Sequence, residues 1–580
     1  MRSGYKPLKH HEAAESFWNI VPPGSYDSNS AQSIIRQYVK VLEERLSVII
    51  SRHSIGYWLH AYRRLFPGPI GGNDSEATIY LVRSTFEAAV QKYATFDPCS
   101  GIAFSSSVEP AAVFKGLLME PKLMGPHELL RLHPQLVLTD FDLTNFKEVY
   151  DTERLAYQVW RCGAALRITA KGAGIEVDPR HPGGFFDTRS DDLDKLVLSY
   201  DSRQRELTAS ASATAFDPDW TRSKGRGIVL CAQYNIGSET ISDFKKLFAS
   251  FGLELDDGFK PNFLWAPFNL GEYLRAHEPF SEAFQNKHGI PLSWVFAVLS
   301  GLLLRIVAQW RSVPGRIVHY WTRAYEGPYT RDFVAQEIAN SLPLGIHSLD
   351  ITLAPKEIDV QAVIRFLEIT EVKRRTINLG TRGSLSIFLP FGKDRLFIDY
   401  AWIHPLLFNL FFDIKLGDQN FKGDALERSI RRGGSVLPTG PCKSLDGQER
   451  QIDASFEIGD TLLIVECRAF ARSFGIETGD PRAIRFRTQK IEAALRDIDE
   501  KANWLRLHPL GTNYDVRKYR KFLPVAVTPF VEFIPAISSH YWLTDSLPRV
   551  LSPGELQDLL KDDALFQRAA SGANTVVVQG

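Results

Sequence analysis

The chain has 580 residues, enough for several hydrophobic cores at roughly 100–200 residues per domain. Hydrophobic residues make up 44% and charged residues 23%, a balance that excludes a disordered or collagen-like chain. The 68 basic and 68 acidic side chains cancel, so no global basic field exists and any polyanion site has to be built from local charge.

Met1–Trp18 (MRSGYKPLKHHEAAESFW) has no apolar core and cannot serve as a secretory signal. The five cysteines (Cys99, Cys162, Cys231, Cys442, Cys467) are scattered and form no C-x-x-C. A reducing, cytoplasmic setting is therefore expected, without a disulfide framework or zinc ribbon. Ser33–Ile50 carries Ile34, Ile35, Tyr38, Val39, Leu42, Leu46 and Ile49 at three- and four-residue steps, one apolar stripe of a helix that Asn29 or Ser30 would cap. Further helices are expected at Ile55–Phe66, ending before Pro67-Gly68-Pro69, and at Ser75–Tyr93. Asp187–Asp194 (DTRSDDLD) lacks the glycine and terminal glutamate of a calcium loop and reads as a solvated loop or helix start. The small-residue tract Leu207–Ala215 reads as a linker. Trp294–Val307 is apolar but too short for a span of about 20 residues, so a buried core helix is expected and no membrane association. The expected organisation is a mainly helical or mixed region at 1–206, a mixed, mostly helical region at 207–380, and an α/β domain at 381–580.

That last domain opens with a hairpin, Leu385–Leu389 and Arg395–Tyr400, followed by an apolar helix at His404–Phe412. Next comes a helix over Lys422–Arg432 with Leu426 and Ile430 on one side and Glu427 one step round. Two strands meet at Gly459-Asp460, a pair suited to a two-residue hairpin turn. In that register facing residues sum to 919, so Asp453 lies opposite Glu466, with Cβ atoms about 4.5–5.5 Å apart on one face. Arg468 shares that face and Cys467 points to the other, where it serves as a small apolar filler. Like charges opposed on the apolar strand LLIVEC need a cation, and hard oxygen ligands suit Mg²⁺ or Mn²⁺. An ordinary cross-strand network balanced by Arg468 and Arg450 is the alternative. A basic helix at Ala483–Leu507, a strand at Phe522–Phe530 and a capping-box helix start at Ser552-Pro-Gly-Glu555 complete the order.

Glu427, Asp453, Glu466-Cys467-Arg468 and Gln489-Lys490, in the order helix, strand, strand, helix, resemble the PD-(D/E)XK, or restriction-endonuclease-like, nuclease superfamily over roughly residues 420 to 530. The resemblance implies a C-terminal α/β domain with a mixed central sheet, after a mainly helical or mixed N-terminal region. It implies metal ligation by Asp453 and Glu466, with the Cys467 carbonyl as a third ligand, Glu427 assisting and Gln489 placing water or phosphate. Where the family usually has Lys, this chain has Arg468, which stays charged and cannot act as a general base. Arg468 can still hold the scissile phosphate, and Lys490 is the expected replacement amine.

Between Lys422 and Lys521 there are 19 basic and 15 acidic residues, a net of +4. Arg482, Arg485, Arg487 and Lys490 cluster just past the carboxylates and are expected to hold phosphates. No interleaved aromatic is noted there, so single-strand binding has no specific support. The chain contains no G-x-x-x-x-G-K-[ST], H-E-x-x-H or G-x-S-x-G, which leaves P-loop, zincin and serine-hydrolase chemistry without support. The expected function is a metal-dependent nuclease acting on nucleic acid, DNA by analogy, with bacterial defence implied by the resemblance alone. The alternative is a nuclease-like scaffold without activity, marked by Arg468. The N-terminal region is open to self-association or to a partner protein.

Overall fold

The structure is a computed structural model that describes residues 15–65, 76–96, 102–104, 136–138, 143–181, 183–212, 274, 277–310, 325–349, 351–381, 383, 386–410, 426–471 and 473–578. It is a mixed helix-and-sheet protein. Among the described residues no helix is long and apolar enough to cross a membrane.

The N-terminal part begins with β1 (Gly24–Tyr26) and α1 (Ser28–Ile50). α1 buries Ile35, Tyr38, Leu42, Leu46 and Ile50 at helical spacing. Its cap is Asp27, whose carboxylate accepts the Ser30 N–H at 2.8 Å; Asn29 and Ser30, the expected caps, lie inside the first turn. α2 (Ile55–Leu65), α3 (Glu76–Tyr93) and α4 (Leu143–Ala170) pack with α1 around one core. β2 (Gly174–Val177) and β3 (Phe185–Thr188) complete a small antiparallel sheet in the order β1-β2-β3. The acidic stretch then opens α5 (Asp191–Ser212), with Asp191, Asp192 and Asp194 in its first turn, where the helix dipole favours negative charge. Leu207–Ser212, expected as a linker, continues this helix; residues 213–215 lie outside the described residues.

α6 (Leu292–Trp310) buries Val295, Phe296, Ala297, Val298, Leu299, Leu302 and Leu303, as expected of an apolar core helix. β4 (Tyr325–Thr330) precedes α7 (Arg331–Leu349). The expected hairpin forms as β5 (Phe388–Phe391) and β6 (Arg395–Asp399), but β6 pairs on its other edge with β4. The core that starts at Trp18 accordingly runs on to Leu410. A boundary at residue 380 is thus corrected: 386–410 belong with the N-terminal core, because their sheet partner lies about seventy residues upstream.

The C-terminal part begins with a helix at 426–431 (α8); residues 422–425 of the expected helix lie outside the described residues. β7 (Ala454–Ile458) and β8 (Thr461–Cys467) form the hairpin, followed by α9 (Pro481–Leu507) and β9 (Lys521–Val527). β10 (Val550–Leu551), α10 (Pro553–Lys561), α11 (Asp563–Ala570) and β11 (Val576–Val577) end the chain. Ser552 and Glu555 make the expected capping box of α10. The sheet order is β7-β8-β9-β10, with β11 on the free part of β9. β7 is antiparallel to β8, whereas β8, β9 and β10 run parallel, with α9 as the crossover between β8 and β9. Both faces of β8 are covered. Leu463, Val465 and Cys467 pack on Leu426, Ile430, Leu556, Leu559 and Phe566, while Leu462 and Ile464 pack on Ile498, Ala502 and Leu505 of α9.

Arginines from three N-terminal helices hold the C-terminal part. Arg36 of α1 donates to the Gly479 carbonyl at 3.0 Å, and Arg167 of α4 to that of Glu477 at 3.3 Å. Arg203 of α5, 6% exposed, pairs with Glu555 and donates to the Glu532 and Val550 carbonyls. Gly479 (φ +69°) sits so close to α4 that a Cβ would lie 2.4 Å from the Leu166 carbonyl carbon and oxygen. Gly479→Ala combines that clash with a left-handed backbone and is expected to cost on the order of 1–3 kcal/mol, read as a lower Tm in thermal unfolding.

Glu532 is buried beneath this junction, 3.2 Å from Arg487 Nη1, and burial pushes its carboxyl up to about 7 against the pull of Arg487 and Arg203. The fold thus favours the protonated form, and the stability that form contributes is lost as pH rises through about 7. Glu532→Gln is expected to gain stability relative to the parent by up to about 3 kcal/mol between pH 5 and pH 8, measured by urea unfolding at each pH.

Candidate metal and phosphate site

The hairpin fixes the geometry of the site. Gly459 adopts φ +60°, and Ile458 pairs with Thr461, which leaves Gly459-Asp460 as a two-residue turn. The pairing runs without a slip to Ala454 opposite Val465, which carries Asp453 to the position facing Glu466. Asp453 stands one residue before β7, and its Oδ2 accepts the Cys467 N–H at 2.8 Å. The carboxylate is thereby tied to the backbone immediately after Glu466.

Glu466 is nearly enclosed, with 3% of its side chain exposed. Its Oε1 lies 2.8 Å from Arg468 Nη2, and Lys501 Nζ hydrogen-bonds Oε2. Arg468 also pairs with Asp497, so α9 supplies Asp497 and Lys501 one turn apart. Burial raises the Glu466 carboxyl pKa and Asp453 adds to it, while Lys501 and Arg468 oppose both. An acid in this position is costly unless cations face it. Of the alternative cross-strand network the Arg468 half forms, at 2.8 Å from Glu466, while Arg450 donates to the Glu449 carbonyl at 3.0 Å.

Glu427 is buried on α8, where Arg431 holds it at 2.8 Å and Gln451 reaches it at 3.4 Å. Arg431 also donates to the Ile452 carbonyl at 2.7 Å, which pins α8 beside the strand leading to Asp453. Among the described residues no group of three or more His, Cys, Asp or Glu side chains is gathered to hold a metal ion. The Cys467 thiol is packed in the core with Leu463 and Val465, and burial drives its pKa well up, which suits a filler and not a nucleophile.

Comparison with protein-family models, with curated proteins and with solved structures finds no match for the chain.

Gln489 and Lys490 do not reach the carboxylates. Both are exposed, and Lys490 Nζ lies 5.3 Å from the Phe486 ring centroid. At 1.5 Å per residue, Lys490 is about 16 Å along α9 from Lys501. The amine beside Glu466 is therefore Lys501, which the sequence reading passed over. Its signal was helical phase: Ile498, Ala502 and Leu505 mark the buried face, and Asp497 and Lys501 flank it. Of the four basic residues, Arg482 (85% exposed, 3.5 Å from Asp480), Arg485 and Lys490 face solvent. Arg487 turns inward to Glu532 and the Ala471 carbonyl, its guanidinium 4.8 Å from the Phe470 ring centroid, and has a packing role instead of the expected phosphate contact.

Two facing carboxylates, one with Oδ1 accepting no hydrogen bond among the described residues, fit a Mg²⁺ that keeps most of its waters. They make a sparse donor set for an ion that demands four protein ligands.

Proposed function

We propose that the C-terminal part is a restriction-endonuclease-like domain and that the protein is a metal-dependent phosphodiesterase acting on nucleic acid. The observation that carries the reading is Asp453, tied to the Cys467 N–H beside Glu466 at the end of a buried strand, with Lys501 and Arg468 against Glu466. A divalent ion held by Asp453 and Glu466 would supply Lewis-acid polarisation of a phosphoryl oxygen and a more acidic bound water. Arg468, always charged, holds a non-bridging phosphate oxygen and offsets the negative charge that develops there. Lys501, an ammonium paired with Glu466, orients the attacking water by its charge and gives a proton to the leaving oxygen, and the proton shed by the water restores it. The P–O bond to one sugar breaks as the water oxygen bonds phosphorus, and the proton ends on the leaving oxygen, giving a phosphomonoester and an alcohol. DNA as substrate, a cytoplasmic location and a role in defence are extensions of the family resemblance, argued by analogy.

A second reading draws on one observation. Arg468 and Lys501 already satisfy both Glu466 oxygens, as they would in a scaffold that binds nucleic acid without cutting. Supercoiled plasmid incubated with Mg²⁺ or Mn²⁺ separates the two. Relaxation or linearisation that requires the metal supports the enzyme, and metal-independent binding without cleavage supports the scaffold.

A further inference from the structure

The first half of α9 projects a surface that the carboxylate site does not explain. Between residues 481 and 496 the exposed side chains are Arg482, Arg485, Phe486, Gln489, Lys490 and Arg496, so every exposed charge there is basic. Glu492 in the same stretch is half-buried and accepts the Tyr541 hydroxyl at 3.0 Å. Phe486 is 61% exposed, a large apolar ring surrounded by cations and not packed into any of the hydrophobic cores. The expectation that this helix interleaves no aromatic is thereby corrected.

The ring is aligned with the site. Phe486, Lys490, Ala493, Asp497 and Lys501 follow at steps of four, three, four and four residues, which places them on one line along the helix. Asp497 and Lys501 end that line against Arg468 and Glu466. The distance along the axis from Phe486 to Lys501 is about 22 Å, the length of about six stacked nucleotides at 3.4 Å each. Cations at such intervals hold phosphates, and an open aromatic face accepts a base regardless of its identity. A base inside a duplex has no face to offer, so the ring is of use only to an unpaired strand.

Building on the nuclease reading, we infer that α9 is a track for single-stranded nucleic acid, in which Phe486 stacks on an unpaired base while Arg482, Arg485 and Lys490 hold the backbone. The substrate class is nucleic acid with a single-stranded segment of about six nucleotides beside the cleaved bond.

The test uses the full chain carrying Glu466→Gln, to prevent cutting, and fluorescein-labelled oligothymidine and oligouridine of about 20 nucleotides, longer than one stacking site. Anisotropy titrations compare these single strands with the matching duplex. Phe486→Ala is expected to weaken single-strand binding about 5- to 100-fold and duplex binding less than about 2-fold, with Phe486→Trp restoring the loss. Phe486 is exposed, so its replacement leaves the fold intact, and circular dichroism verifies that. Equal losses on single strand and duplex, or none, overturn the track. Wild-type plasmid cleavage together with unchanged binding by Phe486→Ala overturns the track alone. Absence of both cleavage and binding to every probe removes the nuclease reading beneath it as well.

Discussion

Glu466→Gln is expected to lower metal-dependent cleavage of plasmid DNA by about 10³-fold or more, the scale on which charge-stabilising groups act in water-excluded sites. The substitution keeps the shape of the side chain and one oxygen for Arg468 or Lys501. It removes the charge that a divalent ion needs. The direction of the Glu466 pKa adds a second readout. Burial and Asp453 raise it, so the folded protein favours a proton on Glu466 more than a free carboxyl would. The stability that this proton contributes is present below the ordinary value of 4.5 and is lost as pH rises through the raised one. A metal ion competes with the same proton, so apparent Mg²⁺ affinity should climb with pH above that ordinary range and level off once Glu466 is ionised. Mg²⁺ should therefore raise the Tm of the parent more at pH 8 than at pH 5, through mass action on the folded state. Glu466→Gln should show no such rise at either pH. Undiminished cleavage by Glu466→Gln would sink the proposed chemistry.

The register of the hairpin was legible in the sequence because a two-residue turn leaves no freedom. Once Gly459-Asp460 is the loop, every facing pair is fixed by arithmetic. The strand-helix-strand order after it was legible for a similar reason, since LLIVEC and FLPVAV are continuous apolar runs of the kind that parallel strands need. Lys501 was not legible. Finding it requires the phase of a 27-residue helix to be carried from its first turn to its sixth, past the basic residues of the first three turns. The boundary at residue 380 failed on a different ground: a hairpin looks self-contained, and nothing local in 388–399 announces that its second strand also pairs with Tyr325–Thr330. The tract Leu207–Ser212 looked like a linker because Ala, Ser and Thr are small, yet alanine has the best helix propensity and the preceding turns were already formed. Phe486 was hidden in plain view, since an aromatic on an amphipathic helix is read as core until its exposure is known.

Lys501→Met is expected to reduce kcat by about 10²–10⁴-fold, the usual contribution of a positioned proton carrier, while Lys490→Ala leaves kcat within about 3-fold. Methionine keeps most of the aliphatic stem, so the packing of α9 changes little and the ammonium is what is lost. The two lysines lie on one line of one helix, and only Lys501 touches Glu466, so the comparison separates a group at the reacting centre from a cation on the approach. Lys490→Ala should act on KM and on the salt dependence of binding instead. A third variant decides whether Lys501 stands in for the strand lysine that the proposed restriction-endonuclease-like reading would require. Arg468→Lys returns an amine to that position, 2.8 Å from Glu466 in the arginine form, and in the Lys501→Met background it should recover part of the lost kcat. Arg468→Lys alone should recover nothing, because Lys501 is already present and the phosphate loses its two-pronged partner. Recovery in the double variant assigns the amine's role to position and not to residue number. Full activity of Lys501→Met would show that Glu466 and Arg468 suffice, and would leave Lys501 as a counter-ion that makes a buried carboxylate tolerable.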